Sequence, residues 1–167
     1  MTTTDPVLNI AQVEFSHELR HGDKFEAKVA RVSAQLGARK LGYNVTAVAP
    51  GKRAFPFHNH HANEELFFIL EGEGTLRFGA RTLPVKPGDF IACPAGGPEV
   101  AHQLVNTGQT VLRYLAVSTM LDTDIFQYPD SGKFGAVGGR SPGAKLQDAR
   151  FAGFYLEKAR LDYWDGE

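Results

Sequence analysis

Cysteine is almost missing from this chain, since Cys93 is the only one among 167 residues. A lone thiol excludes an intrachain disulfide and is typical of a reducing compartment. Long hydrophobic runs are missing too, because the longest, Leu66 to Leu70, is far too short to span a bilayer. The segment Met1 to Pro6 has neither a basic start nor an apolar signal core. We therefore expect a cytoplasmic protein without a membrane-spanning segment.

Neither sign of charge is in excess, because 18 lysines and arginines stand against 19 acidic residues and leave a net charge of −1. A nucleic-acid-binding surface needs a cluster of basic side chains, and no basic run stands out in the sequence. The charge balance therefore excludes nucleic acid as a partner. The length is that of one domain, which is large enough to bury a sizeable core.

Helical periodicity is also absent from the middle of the chain, where short β-rich runs alternate with turns marked by glycine and proline. Eight short strands at this spacing predict an all-β barrel or jelly roll. The predicted strands are Gly42 to Ala49, Ala54 to His60, Glu65 to Leu70, Gly74 to Phe78, Arg81 to Val85, Asp89 to Cys93, His102 to Asn106 and Val111 to Thr119.

Two histidines and a glutamate stand out in this region. Residues two apart on a strand point the same way, so His58 and His60 present both imidazoles to one side of their predicted strand. Glu65 opens the next apolar run and can return a carboxylate to that place. Two histidines and a carboxylate on one face suit Fe(II), Mn(II) and similar ions. One more histidine would complete a site that keeps positions open for water or substrate.

At these positions the chain resembles the cupin superfamily. The first cupin motif contains a glycine, two histidines two residues apart, a glutamate and a second glycine. It is matched by Gly51, His58, His60, Glu65 and Gly72, with one extra residue before His58.

The second cupin motif contains a glycine, a proline, another glycine, a histidine and an asparagine. It is matched by Gly88, Pro94, Gly96, His102 and Asn106. Five residues rather than two separate Gly96 from His102, so an insertion lengthens the turn before this histidine.

The resemblance implies a cupin-type double-stranded β-helix, which is a jelly-roll barrel, with one divalent metal ion. The ligands would be His58, His60, Glu65 and His102, the metal would be Fe, Mn, Ni or Zn, and the metal site itself would be the reaction centre. The flanking sequence resembles a bacterial group of single-domain cupins. Most members of that group lack an assigned reaction, and some carry the label of sugar-phosphate isomerase.

We expect three parts along the chain. Residues 1–25 form an N-terminal arm, residues 26–120 form the cupin barrel, and residues 121–167 form a C-terminal extension that packs on the barrel. The glycine-rich stretch from Gly132 to Gly143 is predicted to be a loop. The aromatic tail after it fits one face of a helix, although Gly153 weakens that interpretation.

Several neighbours of the proposed ligands have simpler interpretations. Glu64 and His61 point away from the site if the strands continue regularly. Cys93 is expected to be a buried, unreactive core residue. Asn106 is expected to hold a turn or to support the site by a hydrogen bond. In an apolar cavity, neutral partners would set the histidine tautomers.

Both faces of the predicted strands are apolar, which is unusual for a sheet that has one side in water. Phe67 shares the inward face of Glu65, Leu66 and Phe68 lie on the opposite face, and Phe57 would point outward on the strand of His58. A partner subunit, the N-terminal arm or the aromatic tail must cover the outer face. We expect a homodimer to which the arm contributes.

Three functions are compatible with this pattern. The favoured one is an enzyme that acts at the metal on a small oxygenated organic molecule, either as an isomerase of a sugar, sugar phosphate or keto acid or as a dioxygenase. The second is a non-catalytic module that binds or senses a small ligand, and the third is a barrel that keeps its metal for stability alone. A phosphorylated sugar would need inward-facing basic residues, for which the candidates are Lys52, Arg53, Arg77 and Arg113.

Overall fold

Antiparallel strands make up almost all of the regular structure in this computed structural model, which describes residues 5–141, 148–159 and 161–167. The α-helix of these residues is a single turn, α1 (Val32–Gln35), and short 3-10 turns lie at Ile10–Gln12 and Pro98–Val100. The strands are β1 (His17–His21), β2 (Phe25–Ala30), β3 (Leu41–Val48), β4 (Asn59–His60), β5 (Glu65–Glu71), β6 (Gly74–Phe78), β7 (Arg81–Val85), β8 (Phe90–Cys93), β9 (His102–Val105), β10 (Leu112–Thr119), β11 (Asp124–Tyr128), β12 (Lys133–Gly138) and β13 (Phe151–Leu156).

A six-stranded sheet and a three-stranded sheet share one apolar core. Their strand orders are β1-β2-β3-β10-β5-β8 and β7-β6-β9. Alternation along each strand decides which side chains enter the core, as β5 shows: Phe67 and Ile69 are buried, whereas Leu66 and Phe68 are only half-buried. Leu76 of β6 and Leu104 of β9 belong to the same buried cluster. The prediction of an all-β jelly roll is confirmed.

Seven of the eight predicted strands coincide with β3 and β5 to β10 to within one residue at each end. The remaining strand, predicted from Ala54 to His60, is reduced to the two residues of β4. Pro56 interrupts this segment, because it has no backbone N–H for a ladder. Phe57 is consequently buried at 6% exposure, and the guanidinium of Arg77 lies 4.2 Å from its ring centre. The expectation that Phe57 points outward is wrong.

A third sheet, which we call the C-terminal sheet, has the strand order β13-β12-β11-β4. Strand β4 pairs with β11 through Phe126 opposite His60 and Gln127 opposite Asn59. The loop predicted for Gly132 to Gly143 is wrong over β12, and the helix considered for the tail is wrong over β13. Both segments are strands because β11 supplies an edge on which β12 and then β13 can form hydrogen bonds.

The N-terminal residues extend the barrel's larger sheet. Strand β1 pairs with β2, and β2 pairs with β3. Most side chains of β1 are exposed, but Leu19 packs against the core. Across the residues that the structure describes, no helix is long and apolar enough to cross a membrane.

Candidate metal centre

His58, His60 and Glu65 lie together where the C-terminal sheet meets the six-stranded sheet. One nitrogen from each imidazole and one oxygen of the carboxylate lie within 4.8 Å of one another. The Nε2 atoms of His58 and His60 are 3.8 and 3.9 Å from Oε2 of Glu65. The two imidazoles are delivered by β4 and the residue before it, and the carboxylate by the first residue of β5.

His102 reaches the same carboxylate from the first position of β9. Its Nε2 lies 3.0 Å from Oε2 of Glu65, and its ring centre is 4.8 Å from that of His58. The backbones of His58 and His102 exchange two hydrogen bonds, of 3.2 and 2.7 Å, which hold the two residues side by side. The insertion before His102 folds as the 3-10 turn Pro98–Val100, so the longer spacing still brings this side chain to the cluster.

Nε2 of each ring faces the carboxylate of Glu65, because Nδ1 contacts an oxygen atom on the other side of the ring. Nδ1 of His58 lies 2.8 Å from the carbonyl of Pro56, and Nδ1 of His102 lies 3.2 Å from the carbonyl of Val100. A carbonyl oxygen can only accept, so these Nδ1 atoms carry protons. The Nε2 lone pair of His58 is thereby left for a cation. His102 turns the same atom, Nε2, toward Glu65.

The third ring is held by a buried carboxylate rather than by a neutral group. Oδ2 of Asp124, the first residue of β11, lies 2.6 Å from Nδ1 of His60 and accepts a 2.7 Å hydrogen bond from Asn63. Oδ1 of Asp124 accepts a 2.9 Å bond from the backbone N–H of Ala62. The expectation that neutral partners set the tautomers therefore fits His58 and His102 and is wrong for His60.

The charges of the cluster favour a bound cation. Although burial opposes ionisation, the hydrogen bond from His102 and the nearby imidazoles lower the pKa of Glu65 to about 2. Burial lowers the pKa of His58 to about 4, which leaves that ring neutral at neutral pH. Burial acts in the same direction on His60, but the Asp124 hydrogen bond and the charge of Glu65 outweigh it and raise the pKa. The cluster thus offers a carboxylate and at least one neutral imidazole.

The donor set fits the ions that the sequence suggests. Three imidazole nitrogens and one carboxylate oxygen suit Fe, Mn, Ni or Zn better than Mg or Ca, which prefer oxygen ligands alone. The Asp124 contact supports the same conclusion, because a carboxylate on the far nitrogen is the usual partner of a metal-binding imidazole.

The interior side of the cluster is apolar. The ring centre of Phe67 lies 5.6 Å from that of His102, and Tyr114 packs edge-on against Phe67 at 5.5 Å. Ile69, the next inward residue of β5, is fully buried. These side chains exclude water from one side of the cluster and strengthen electrostatic interactions there.

The outer side of the cluster is covered by the C-terminal sheet. The ring of Tyr128 stacks on His58 at 6.0 Å, and the ring of Phe126 lies 5.9 Å from His60. Phe154 of β13 contacts both aromatic rings, at 6.1 and 5.8 Å. We call Phe126, Tyr128 and Phe154 the aromatic wall.

The other residues considered in the sequence lie outside the cluster. Nε2 of His61 bonds to Oε1 of Gln127 at 2.8 Å. Cys93 is 2% exposed and belongs to the core, and burial raises the pKa of its thiol. Asn106 holds a turn, since it donates to the carbonyls of Val48 and Thr110 and accepts from the N–H of Gly108.

The four basic residues proposed for phosphate binding are engaged elsewhere. Arg77 forms two hydrogen bonds to Asp130, and Arg113 lies 3.4 Å from Glu71. Lys52 donates to the carbonyl of Asp23, and Arg53 lies over the ring of Phe25 at 5.9 Å. None of these contacts is with the three histidines or Glu65.

Sequence reasoning missed the contribution of β11 and β12. Asp124, Phe126 and Tyr128 alternate along β11, and Asp124 and Phe126 are both buried, so a period of two was the available signal. Lys133 lies opposite Tyr128 on β12. The sequence of this strand shows no period of two, because it contains two glycines.

The chain is similar in sequence to known proteins. A family model described as a cupin domain matches residues 44–118. The chain is 36% identical to an oxalate-binding protein of Thermotoga maritima over 101 residues, which are 60% of this chain and 81% of that protein. It is 32% identical to auxin-binding protein 1 of Arabidopsis thaliana over 103 residues, which are 56% of this chain and 50% of that protein.

Solved structures share the fold over nearly the full length. A sugar phosphate isomerase from a cupin superfamily, from Silicibacter pomeroyi, superposes with a TM-score of 0.75 at 22% sequence identity. The superposition covers 92% of this chain and 94% of that one.

Proposed function

This chain belongs to the cupin superfamily, and from that premise we propose that it binds one divalent metal ion through His58, His60, Glu65 and His102. At that ion it acts on a small oxygenated organic molecule. In this proposal, the described strands β11 to β13 complete the binding pocket on the outer side of the site.

One observation carries the proposal. Three Nε2 atoms lie within 3.9 Å of Oε2 of Glu65, while each Nδ1 atom contacts an oxygen acceptor. A cluster built only for stability would not need three imidazoles turned the same way. Metal-binding histidines usually have a hydrogen-bond partner on the nitrogen that faces away from the metal, and that bond fixes the orientation of the ring.

A divalent ion held there would supply Lewis-acid polarisation of a ligand oxygen atom. The chain's own residues prepare the site for it. Glu65 is held as the anion, His58 is held neutral, and Asp124 keeps the proton of His60 on Nδ1. Phe67 and Tyr128 limit the access of water from opposite sides of the rings.

Within this class we favour isomerase-like chemistry on a sugar, sugar phosphate or keto acid, and we keep dioxygenase chemistry as the other branch. The similarity in fold to a protein named sugar phosphate isomerase supports the first branch. The apolar surroundings of the cluster are compatible with either branch. The identity of the metal distinguishes the two, because dioxygen chemistry needs a redox-active ion.

A second candidate is a non-catalytic module that binds a small ligand. The names of two relatives, an oxalate-binding protein and an auxin-binding protein, support this alternative. The enzyme and the binding module differ in whether the bound molecule is converted to a product. If a metal-loaded sample binds small hydroxy or keto acids but converts none of them, and consumes no dioxygen, the binding module is the better description.

The deciding experiment is elemental analysis of the purified protein by plasma mass spectrometry, together with a His58→Ala/His60→Ala double variant. We expect close to one transition-metal ion per chain in the natural protein and almost none in the variant. The β-barrel should remain folded in the variant, because neither His58 nor His60 belongs to the apolar core cluster.

A matched control is His61→Ala, which removes an adjacent histidine that contacts Gln127 and not Glu65. Its metal content should equal that of the natural protein. Full metal content in the double variant, or loss of metal in the control, would contradict the ligand assignment. Iron would favour oxygen chemistry, and manganese, nickel or zinc would favour an isomerase.

A further inference from the structure

One face of the C-terminal sheet is turned toward the candidate metal centre. On β11 this face carries Asp124, Phe126 and Tyr128, which contact His60 or His58. Cross-strand pairing puts Lys133 of β12 directly opposite Tyr128, and directly opposite residues of an antiparallel pair share a face. The aromatic wall and Lys133 therefore belong to one surface beside the cluster.

Lys133 differs from two nearby cations, Arg77 and Arg140. Its ammonium group lies 4.9 Å from the ring centre of Tyr128 and 5.9 Å from that of Phe154. Among the residues that the structure describes, no carboxylate lies within 4.0 Å of it, whereas Arg77 is paired with Asp130. Arg140, which acts on His60 electrostatically, donates to the carbonyl of Leu121.

Lys133 is half-buried, and its ammonium group lies against two aromatic rings. Its hydrogen-bond donors therefore remain available to another molecule. Lysine has three such donors, and it binds carboxylate and phosphate groups as a point charge. Tyr128 contacts both Lys133 and His58, so a single ring separates the cation from the metal-binding cluster. A molecule of a few carbon atoms could reach from one to the other.

We propose that Lys133 binds an anionic group of the small molecule that occupies the metal centre, and that the aromatic wall packs against the carbon skeleton of that molecule. The substrate class is therefore a small organic anion. One end of it carries oxygen atoms for the metal, and the other end carries a carboxylate or a phosphate. This inference rests on the proposed function and deepens it.

Two pairs of small molecules test the inference by isothermal titration calorimetry on the metal-loaded protein. Phosphoglycolate is compared with glycolate, and succinate with propionate. Within each pair both members carry a carboxylate that can reach the metal, and only the first member carries a second anionic group. In at least one pair we expect the molecule with the second anionic group to bind about tenfold to a hundredfold more tightly, as for one charge-assisted hydrogen bond.

Three variants test whether Lys133 causes the preference for the second anionic group. Lys133→Met keeps the length and apolar packing of the side chain and should abolish the preference, whereas Lys133→Arg keeps the charge and should retain most of it. Lys86→Met is the matched control, because Lys86 is exposed and paired with Asp89. Metal content should be equal in all three variants.

The outcomes separate this inference from the proposed function. A preference for phosphoglycolate alone identifies a phosphate group, and a preference for succinate alone identifies a carboxylate. A preference that survives Lys133→Met overturns the inference, and so does the absence of any preference in metal-loaded protein. If the natural protein takes up no metal even after reconstitution, the proposed function is contradicted. That result does not depend on Lys133.

Discussion

At the scale of single residues, a buried carboxylate of β11 supports one histidine of the candidate metal centre. Asp124 is 3% exposed and holds Nδ1 of His60 at 2.6 Å, while Asn63 and the N–H of Ala62 hold the carboxylate in place. Although burial opposes ionisation, these donors keep the pKa of Asp124 below its ordinary value. Asp124 thus acts through His60 and is a positioning residue.

Asp124→Asn tests this role. The amide has one acceptor oxygen where the carboxylate has two, so it cannot accept from His60, Asn63 and Ala62 in the same way. We expect the metal dissociation constant to rise by roughly tenfold to a hundredfold, as for other partners behind a metal-binding histidine. Competition with a fluorescent chelator measures this constant.

Asp130→Asn is the control for the same experiment, because Asp130 follows the same strand but bonds to Arg77. It should leave the metal dissociation constant unchanged. An unchanged constant in Asp124→Asn would contradict the positioning role. Equal losses in both variants would indicate a general effect of the C-terminal sheet.

At the scale of elements, the shape of β12 explains how the aromatic wall fits beside the histidines. Gly135 lies opposite Phe126 in the β11–β12 ladder, and a Cβ atom on Gly135 would come within 2.7 Å of Cζ of Phe126. The glycine therefore leaves room for the ring that packs near His60. Of the two glycines in this strand, Gly135 is therefore required by packing.

Gly135→Ala should displace the Phe126 ring and destabilise the protein by about 1–3 kcal/mol, the usual range for overpacking a buried position. Urea denaturation followed by circular dichroism measures the free energy of unfolding. Gly138→Ala is the matched control on the same strand, since its added Cβ would meet only Oγ1 of Thr123 at 4.0 Å. Equal stability of the two variants would contradict the packing role of Gly135.

At the scale of the whole molecule, the outer face of β5 and β8 keeps an apolar surface. Phe68 of β5 lies directly opposite Phe90 of β8, their ring centres are 4.4 Å apart, and Phe90 is 74% exposed. A half-buried Phe68 beside an exposed Phe90 forms an apolar surface patch, and such patches can mark an interaction site. We therefore propose that a second copy of the chain covers this face in a homodimer.

Light scattering coupled to gel filtration checks the dimer. The natural protein should have twice the mass of one chain, and Phe90→Asp should reduce the mass to that of one chain, because it buries a charge at the interface. Phe151→Asp is the control, since Phe151 is 52% exposed on the distant edge strand β13. A monomeric natural protein would contradict the proposal, and dissociation by Phe151→Asp alone would move the interface to the C-terminal sheet.

The sequence by itself determined the barrel and four residues of its cluster. Strand alternation, turn residues and the spacing of His58, His60 and Glu65 are local signals, and they predicted β3 and β5 to β10 to within one residue. The two cupin motifs added His102 despite the inserted turn. The strand predictions succeeded because local periodicity and the apolar core agree with each other over these seven strands.

Only the tertiary structure decided which residues of the C-terminal sheet lie beside the cluster. Asp124 and Lys133 lie more than sixty residues after His60 along the chain, and no local pattern ties them to it. Strand β12 becomes a strand because β11 offers it an edge, and β11 is held in place by pairing with β4. Long-range pairing of this kind is a property of the folded chain, because each edge exists only after the previous strand has found its place.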